Sequence, residues 1–176
     1  TGQWPHSHGG RRNETMMPAN TLHGVRLWKE AGYHVGLIGK NHCFHLDEDL
    51  ALFDTYCEIS HGGLPAGVPT KGMEWFRPTE NIDAAHELRQ SMQPQNERFG
   101  YATSEFPLED YSTGLVAGQT VRFLERHAAD PEAEPFALWV SIPDPHEPWV
   151  CPKDYSDLFS KENIELPPWR EDEFDD

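Results

Sequence analysis

Twice in 176 residues the spacing of apolar side chains switches from helical to strand-like and then stops in a polar, histidine-bearing loop. The first switch runs through "NTLHGVRLWKEAGYHVGLIGKNHCFH". Asn20 or Thr21 is placed to cap a helix, Leu22, Val25, Trp28 and Ala31 recur at its spacing, and Gly32 is placed to end it. Residues 33–39, "YHVGLIG", are apolar, β-branched at the centre and bounded by glycine, which predicts a strand buried inside a sheet. The second switch, "YSTGLVAGQTVRFLERHAAD" into "PFALWVSI", offers a cap at Ser112 or Thr113 and an apolar face of Ala117, Val121, Leu124 and Ala128. Its helix is expected to end near Asp130-Pro131, and residues 135–142 read as a central parallel strand covered on both faces. Helix, turn, strand and polar loop form the αβ half of a parallel α/β unit. Ligands of such sheets bind beyond the carboxyl ends of the strands. Lys40 and His42 after the first strand, and "PDPHEPW" after the second, are therefore expected on one rim.

The rest of the chain is read as connection. Residues 46–110 hold many turn formers, including "HGGLPAGVP" and "QPQNERFG", and predict a long loop-rich excursion with short local elements. Residues 151–176 are rich in proline and acid, and the closing "REDEFDD" reads as a solvated loop. The length suits one domain. Fifteen prolines and fourteen glycines imply long connections, while six tryptophans and nine phenylalanines supply enough apolar bulk to order them.

A formal charge of −16 with no basic stripe would repel a phosphate backbone, so a nucleic-acid partner is not expected. The same field means that a site for an anion needs local cations or a metal. No run reaches the ~18 apolar residues of a membrane span, and "TGQWPHSHGG" lacks the basic flank and apolar stretch of a signal peptide. Cys43, Cys57 and Cys151 are widely separated with no C-x-x-C spacing, which predicts free thiols rather than a disulfide framework.

Candidate chemistry clusters where the strands end. Lys40 is a compact cation able to hold an oxyanion, or a solvated lysine. His42 follows two residues later, the spacing that puts both side chains on one side of an extended backbone. An ammonium beside an imidazole favours the neutral ring, which suits a base near pH 7; the alternative is a loop histidine bonded to backbone. Cys43 and His45 complete an H-C-x-H run that invites zinc, but no H-x-x-x-H or H-E-x-x-H spacing supplies a second pair. His146 lies between prolines in "DPHEP", a stiffened loop that presents an imidazole at low entropic cost or makes a simple turn. His6 and His8, beside glycines, read as turn residues. There is no G-x-S-x-G nucleophile, Walker loop or Rossmann fingerprint.

Together "TGQWPHSHGG", "LWKEAGYHVGLIGKNH" and "FALWVSIPDPHEPW" resemble the sulfatase family of the alkaline phosphatase superfamily, over most of the chain. Thr1-Gly2 looks like the end of the signature in which a cysteine or serine, a proline and an arginine precede a Thr-Gly pair. Gly32, Tyr33, Gly39, Lys40 and His42 match a second signature, with Val35 where the family usually has serine or threonine. The resemblance implies a partial sulfatase fold, α/β with a mainly parallel central sheet flanked by helices, spanning residues 1–176. It implies hydrolysis of a small-molecule or saccharide sulfate ester by a formylglycine nucleophile outside this stretch. By the same resemblance Lys40 would hold a sulfate oxygen, His42 would take a hydroxyl proton so that the sulfated intermediate collapses, and His146 would contact sulfate and the leaving oxygen as acid. The family's divalent cation, commonly calcium, would be held by acidic and amide residues outside this stretch, so no metal ligand is assigned to Asp47, Asp49 or the tail. The stretch alone is expected to be inactive and marginally folded, because a parallel sheet missing neighbouring strands exposes apolar edges. The same cradle would suit a phosphonate or phosphate ester, or a noncatalytic anion-binding relative. A C-x-P-x-R just before Thr1 would favour sulfate. Family membership implies export to periplasm or extracellular space, and the sequence leaves the oligomeric state open.

Overall fold

A computed structural model describes residues 1–12, 15, 17–60, 70–76, 81–91, 100–165, 167, 168 and 170. The "HGGLPAGVP" and "QPQNERFG" turns and the "REDEFDD" tail lie largely outside these residues. In chain order the elements are helix α1 (Pro5–His8), helix α2 (Gly24–Glu30), strand β1 (His34–Gly39), helix α3 (Asp47–Leu50), strand β2 (Thr55–Glu58), helix α4 (Asn81–Ser91), strand β3 (Tyr101–Ser104), helix α5 (Ser112–Ala129), strand β4 (Phe136–Ser141), strand β5 (Trp149–Pro152) and helix α6 (Lys153–Ser156). Strands β2, β1 and β4 form a parallel sheet in that order, and β3 and β5 form a separate parallel pair. The fold is thus α/β with parallel strands flanked by helices.

Helix α2 begins later than expected. Asn20 has φ 64° and Thr21 bonds the Pro18 carbonyl, so neither caps; His23 does, its Nδ1 accepting from the Arg26 N–H at 3.3 Å. Its end falls where the glycine predicts. Gly32 takes φ 82°, and the amides of Gly32 and Tyr33 reach back to the carbonyls of Lys29 and Trp28.

Strand β1 is the centre of the three-stranded sheet and is buried on both faces. Val35 and Leu37 pack with Val25, Phe44, Phe53 and Tyr56, while Ile38 packs with Cys57, Ile59 and the α5 residues Leu115, Val116 and Phe123. Each such aliphatic side chain contributes about 1.5–3 kcal/mol by leaving water.

Two elements differ from expectation among the described residues. Strand β4 has β1 as its partner and stands at the edge of the described sheet, with Phe136, Trp139 and Val140 partly exposed there. Helix α5 buries Ser112, Leu115, Val116, Gln119 and Phe123, whereas the expected face of Ala117, Val121, Leu124 and Ala128 is exposed. The helix carries two apolar stripes, and the one bearing Phe123 docks because that ring fits beside His34 and Phe136. The N-cap of α5 is Tyr111, not Ser112 or Thr113.

Candidate active site

The rim is built from backbone outward. Gly39, the last residue of β1, pairs with Ser141, the last of β4, and the next amide, that of Lys40, donates to the Ser141 carbonyl at 2.8 Å. This approach requires glycine: φ is 115°, and a Cβ would stand 2.0 Å from the Ser141 oxygen. The loops bearing Lys40 and His146 therefore leave neighbouring strands at the same end of the sheet.

Asn41 then holds the first loop. Its side chain is buried; Nδ2 donates to the Phe44 carbonyl at 2.6 Å and the Tyr56 hydroxyl at 3.0 Å, and Oδ1 accepts from the amides of Cys43 and Phe44 at 3.0 Å each. Tyr56 passes the chain on, donating to Glu58 Oε2 at 2.6 Å. With Asn41 turned inward, Lys40 and His42 flank it on the outer side, half-buried and exposed respectively. Partial burial pushes the His42 imidazole below its ordinary value, and the neighbouring charges of Lys40, His45 and His146 push the same way against Glu58. His42 thus senses both Lys40 and His146.

The second loop is held by Thr113, whose hydroxyl donates to Asp144 Oδ2 from the first turn of α5. Within it, His146 Nδ1 lies 2.7 Å from the Glu147 carbonyl oxygen and 3.3 Å from a Glu147 carboxylate oxygen. Both oxygens accept, so Nδ1 carries hydrogen and Nε2 is the atom that exchanges a proton.

A cavity of about 570 Å³ opens beside His42 and Cys43, with Arg11, Arg12, Trp28 and Trp139 among its other walls. Of the three candidate residues only His42 lines it; Lys40 and His146 do not. His6 and His8 lie in the short helix α1, capped at its end by Gly9, rather than in a turn, and His8 Nδ1 accepts from the Gly10 amide at 3.4 Å. Cys43, Cys57 and Cys151 are free thiols, and burial pushes Cys57 up to about 12.

Asn41 and Thr113 are the residues a sequence reading misses. Asn41 lies between two candidates, but its partner Tyr56 comes from β2. Thr113 reads as a cap, but its bond crosses 31 residues.

The sulfatase family profile matches residues 1–169. The chain belongs to the sulfatase family. It is also similar to a Caenorhabditis elegans protein described as an extracellular sulfatase Sulf-1 homolog, 26% identical over 162 residues, which make up 89% of this chain and 20% of that protein. The chain thus spans about a fifth of the length of that curated relative.

Sulfatases imply a divalent metal, and the described residues do not fit one: no three histidine, cysteine or carboxylate groups gather to hold an ion. The buried Asp49 is instead taken by His23 Nε2 and Arg26 Nη2, each at 3.3 Å, which fastens α3 to the start of α2.

Proposed function

We propose that this chain contributes the oxyanion-holding and proton-transferring part of a sulfate-ester hydrolase. Lys40 places a fixed positive charge against the oxygens of the transferred group, where charge grows as the ester bond breaks. His42 is neutral at pH 7 and accepts a hydroxyl proton. His146 gives a proton from Nε2 to the leaving alcohol oxygen, its ring oriented by the Glu147 carbonyl through Nδ1. The nucleophile, a formylglycine in this family, and a cation such as calcium are proposed to come from segments outside these residues. Like its extracellular relative, the protein is proposed to work outside the cytoplasm.

The observation that supports this most is the Lys40–Ser141 backbone bond, which brings two strand ends and their loops together so that His42 feels the charge of Lys40 and His146. The test is turnover of a chromogenic aryl sulfate by the full-length enzyme and by its Lys40→Ala and His42→Ala variants. Losses of roughly a hundredfold or more are expected for each. Unchanged turnover in both would remove the assignment, and a full-length protein that cleaves only phosphate esters would redirect it to phosphoryl chemistry.

A further inference from the structure

Strand β4 belongs to the three-stranded sheet and β5 to the separate pair, so the loop that carries His146 crosses from one sheet to the other. It is poorly equipped to hold itself. Residues 142–148 read "IPDPHEP", and each of the three prolines lacks a backbone N–H. The start of α5 grips the loop from outside. Thr113 donates to the Asp144 carboxylate, two residues before His146, and the hydroxyl of Tyr111, the N-cap of α5, donates at 2.5 Å to the carbonyl of Val150 on β5. Two bonds close the span between these points: the His146 amide donates to the Pro143 carbonyl at 3.2 Å, and the Trp149 indole N–H to the Pro145 carbonyl at 3.0 Å. The helix itself is seated where it grips. Gly114 lies so close to the turn before it that a Cβ would stand 1.8 Å from the Leu108 carbonyl oxygen, and Leu115 and Val116 are buried in one cluster with Ile38 of β1. One helix end thus touches both ends of the His146 loop and packs on the strand that delivers Lys40.

Resting on the sulfate-ester reading above, we propose that Tyr111 and Thr113 are positioning residues, a two-point clamp that holds His146 at a fixed place relative to Lys40 and His42. They act through the loop and not on the substrate. Proton transfer to the leaving oxygen requires the imidazole to stand within hydrogen-bond reach as the ester bond breaks, and a displacement of about an ångström forfeits much of that transfer. Loss of the clamp therefore falls on the step that needs the proton. A merely structural role for the two hydroxyls would lower turnover of every ester alike, through the fraction of folded enzyme.

The test uses the full-length protein and two probes: 4-nitrophenyl sulfate, whose leaving group departs readily as an anion, and phenyl sulfate, whose leaving group needs the proton. Tyr111→Phe and Thr113→Val each remove a hydroxyl and keep the bulk of the side chain. Each is expected to lower kcat for phenyl sulfate about tenfold and kcat for 4-nitrophenyl sulfate by about threefold at most, with KM for both nearly unchanged. Thr113→Ser keeps the donor and should hold phenyl sulfate turnover within about twofold of the unsubstituted enzyme. The ring-proton resonances of His146 supply a measurement that needs no turnover: they should shift in Tyr111→Phe and Thr113→Val and stay in place in Thr113→Ser. Equal losses on the two esters, undiminished phenyl sulfate turnover in both hydroxyl-free variants, or His146 resonances indifferent to them would overturn the clamp. Failure of the hydrolase reading shows separately, as turnover of both esters indifferent to Lys40→Ala and His42→Ala while the His146 resonances still respond to loss of the hydroxyls.

Discussion

The amide of Lys40 bonds the carbonyl of Ser141 at 2.8 Å, one residue beyond the last paired position of β1 and β4. This bond converts a sheet register into the position of Lys40, the cation proposed to hold the oxyanion. It depends on Gly39, where a Cβ would meet the Ser141 oxygen at 2.0 Å and where φ is 115°. Gly39→Ala is expected to destabilise the full-length protein by at least about 2 kcal/mol, from backbone strain and separation of the strand ends. Aryl-sulfate turnover should fall with it, roughly tenfold or more, because a displacement of an ångström at a catalytic group is that costly. Thermal unfolding and turnover together check this; a fully active and equally stable Ala variant would show that the strand ends can part freely.

Asn41 supports the same loop through four hydrogen bonds. Asn41→Ala leaves the buried amides of the turn and the Tyr56 hydroxyl short of partners, at a cost of about 3 kcal/mol. Asn41→Asp keeps an acceptor for the amides of Cys43 and Phe44 but loses donation to the Phe44 carbonyl, and it buries charge. Both variants are expected to lower kcat more than they raise KM, since Lys40 and His42 move relative to the reacting atoms. Tyr56→Phe removes one of the four bonds together with the bond to Glu58, and should cost about 1–2 kcal/mol with little change in turnover.

The contrast between these residues explains what could be read in advance. Strand β1 was legible because its apolar run and its bounding glycines are local, and Lys40 and His42 follow from where such a strand ends. Strand β2 was not: "TYCE" has no apolar period, and it becomes a strand because it pairs with β1 from Gly36 to Gly39. The docking face of α5 was ambiguous for a different reason. Its sequence carries two stripes, and the choice between them is made by the shape of the sheet, where Phe123 meets His34 and Phe136. Asn41 and Thr113 act through partners 15 and 31 residues away, which no local pattern announces.

The opposite end of the sheet predicts how stability follows pH. Burial pushes His34 below its ordinary value of 6.5, and His127 and Lys29 add to this while Asp54 and Glu134 oppose it. The unfolded chain therefore takes up a proton near pH 6.5 that the folded chain refuses, so this contribution is present above 6.5 and is lost as pH falls through the lower folded value. For Asp54, burial alone would raise the carboxyl, but bonds from Lys29 Nζ and the Val35 amide outweigh it and hold it below 3.8. Its contribution is present above 3.8 and is lost as pH falls through the folded value. Hydrogen exchange at β1 and the last turns of α5 should speed up in two separate steps on acidification. His34→Gln should abolish the upper step and Lys29→Met the lower, and a single step unaffected by either substitution would contradict the assignment.

His42 offers a direct measure of whether the loops of β1 and β4 act on one another. After burial, the largest cause of its lowered value is the Lys40 ammonium, and His146 pushes in the same direction. Removing either positive charge should therefore raise the His42 value, and Lys40→Met should raise it more than His146→Gln. Glu58→Gln should lower it further, since that carboxylate favours the charged ring. The titration can be followed by the ring-proton resonances of His42 in the full-length protein, which does not require the variants to turn over. In enzymes that retain activity, the acidic limb of kcat/KM should move with the resonance, because a proton acceptor works only when neutral. A His42 titration indifferent to His146→Gln would mean that the two imidazoles do not share a field. The proposed acid and base would then serve different ligands.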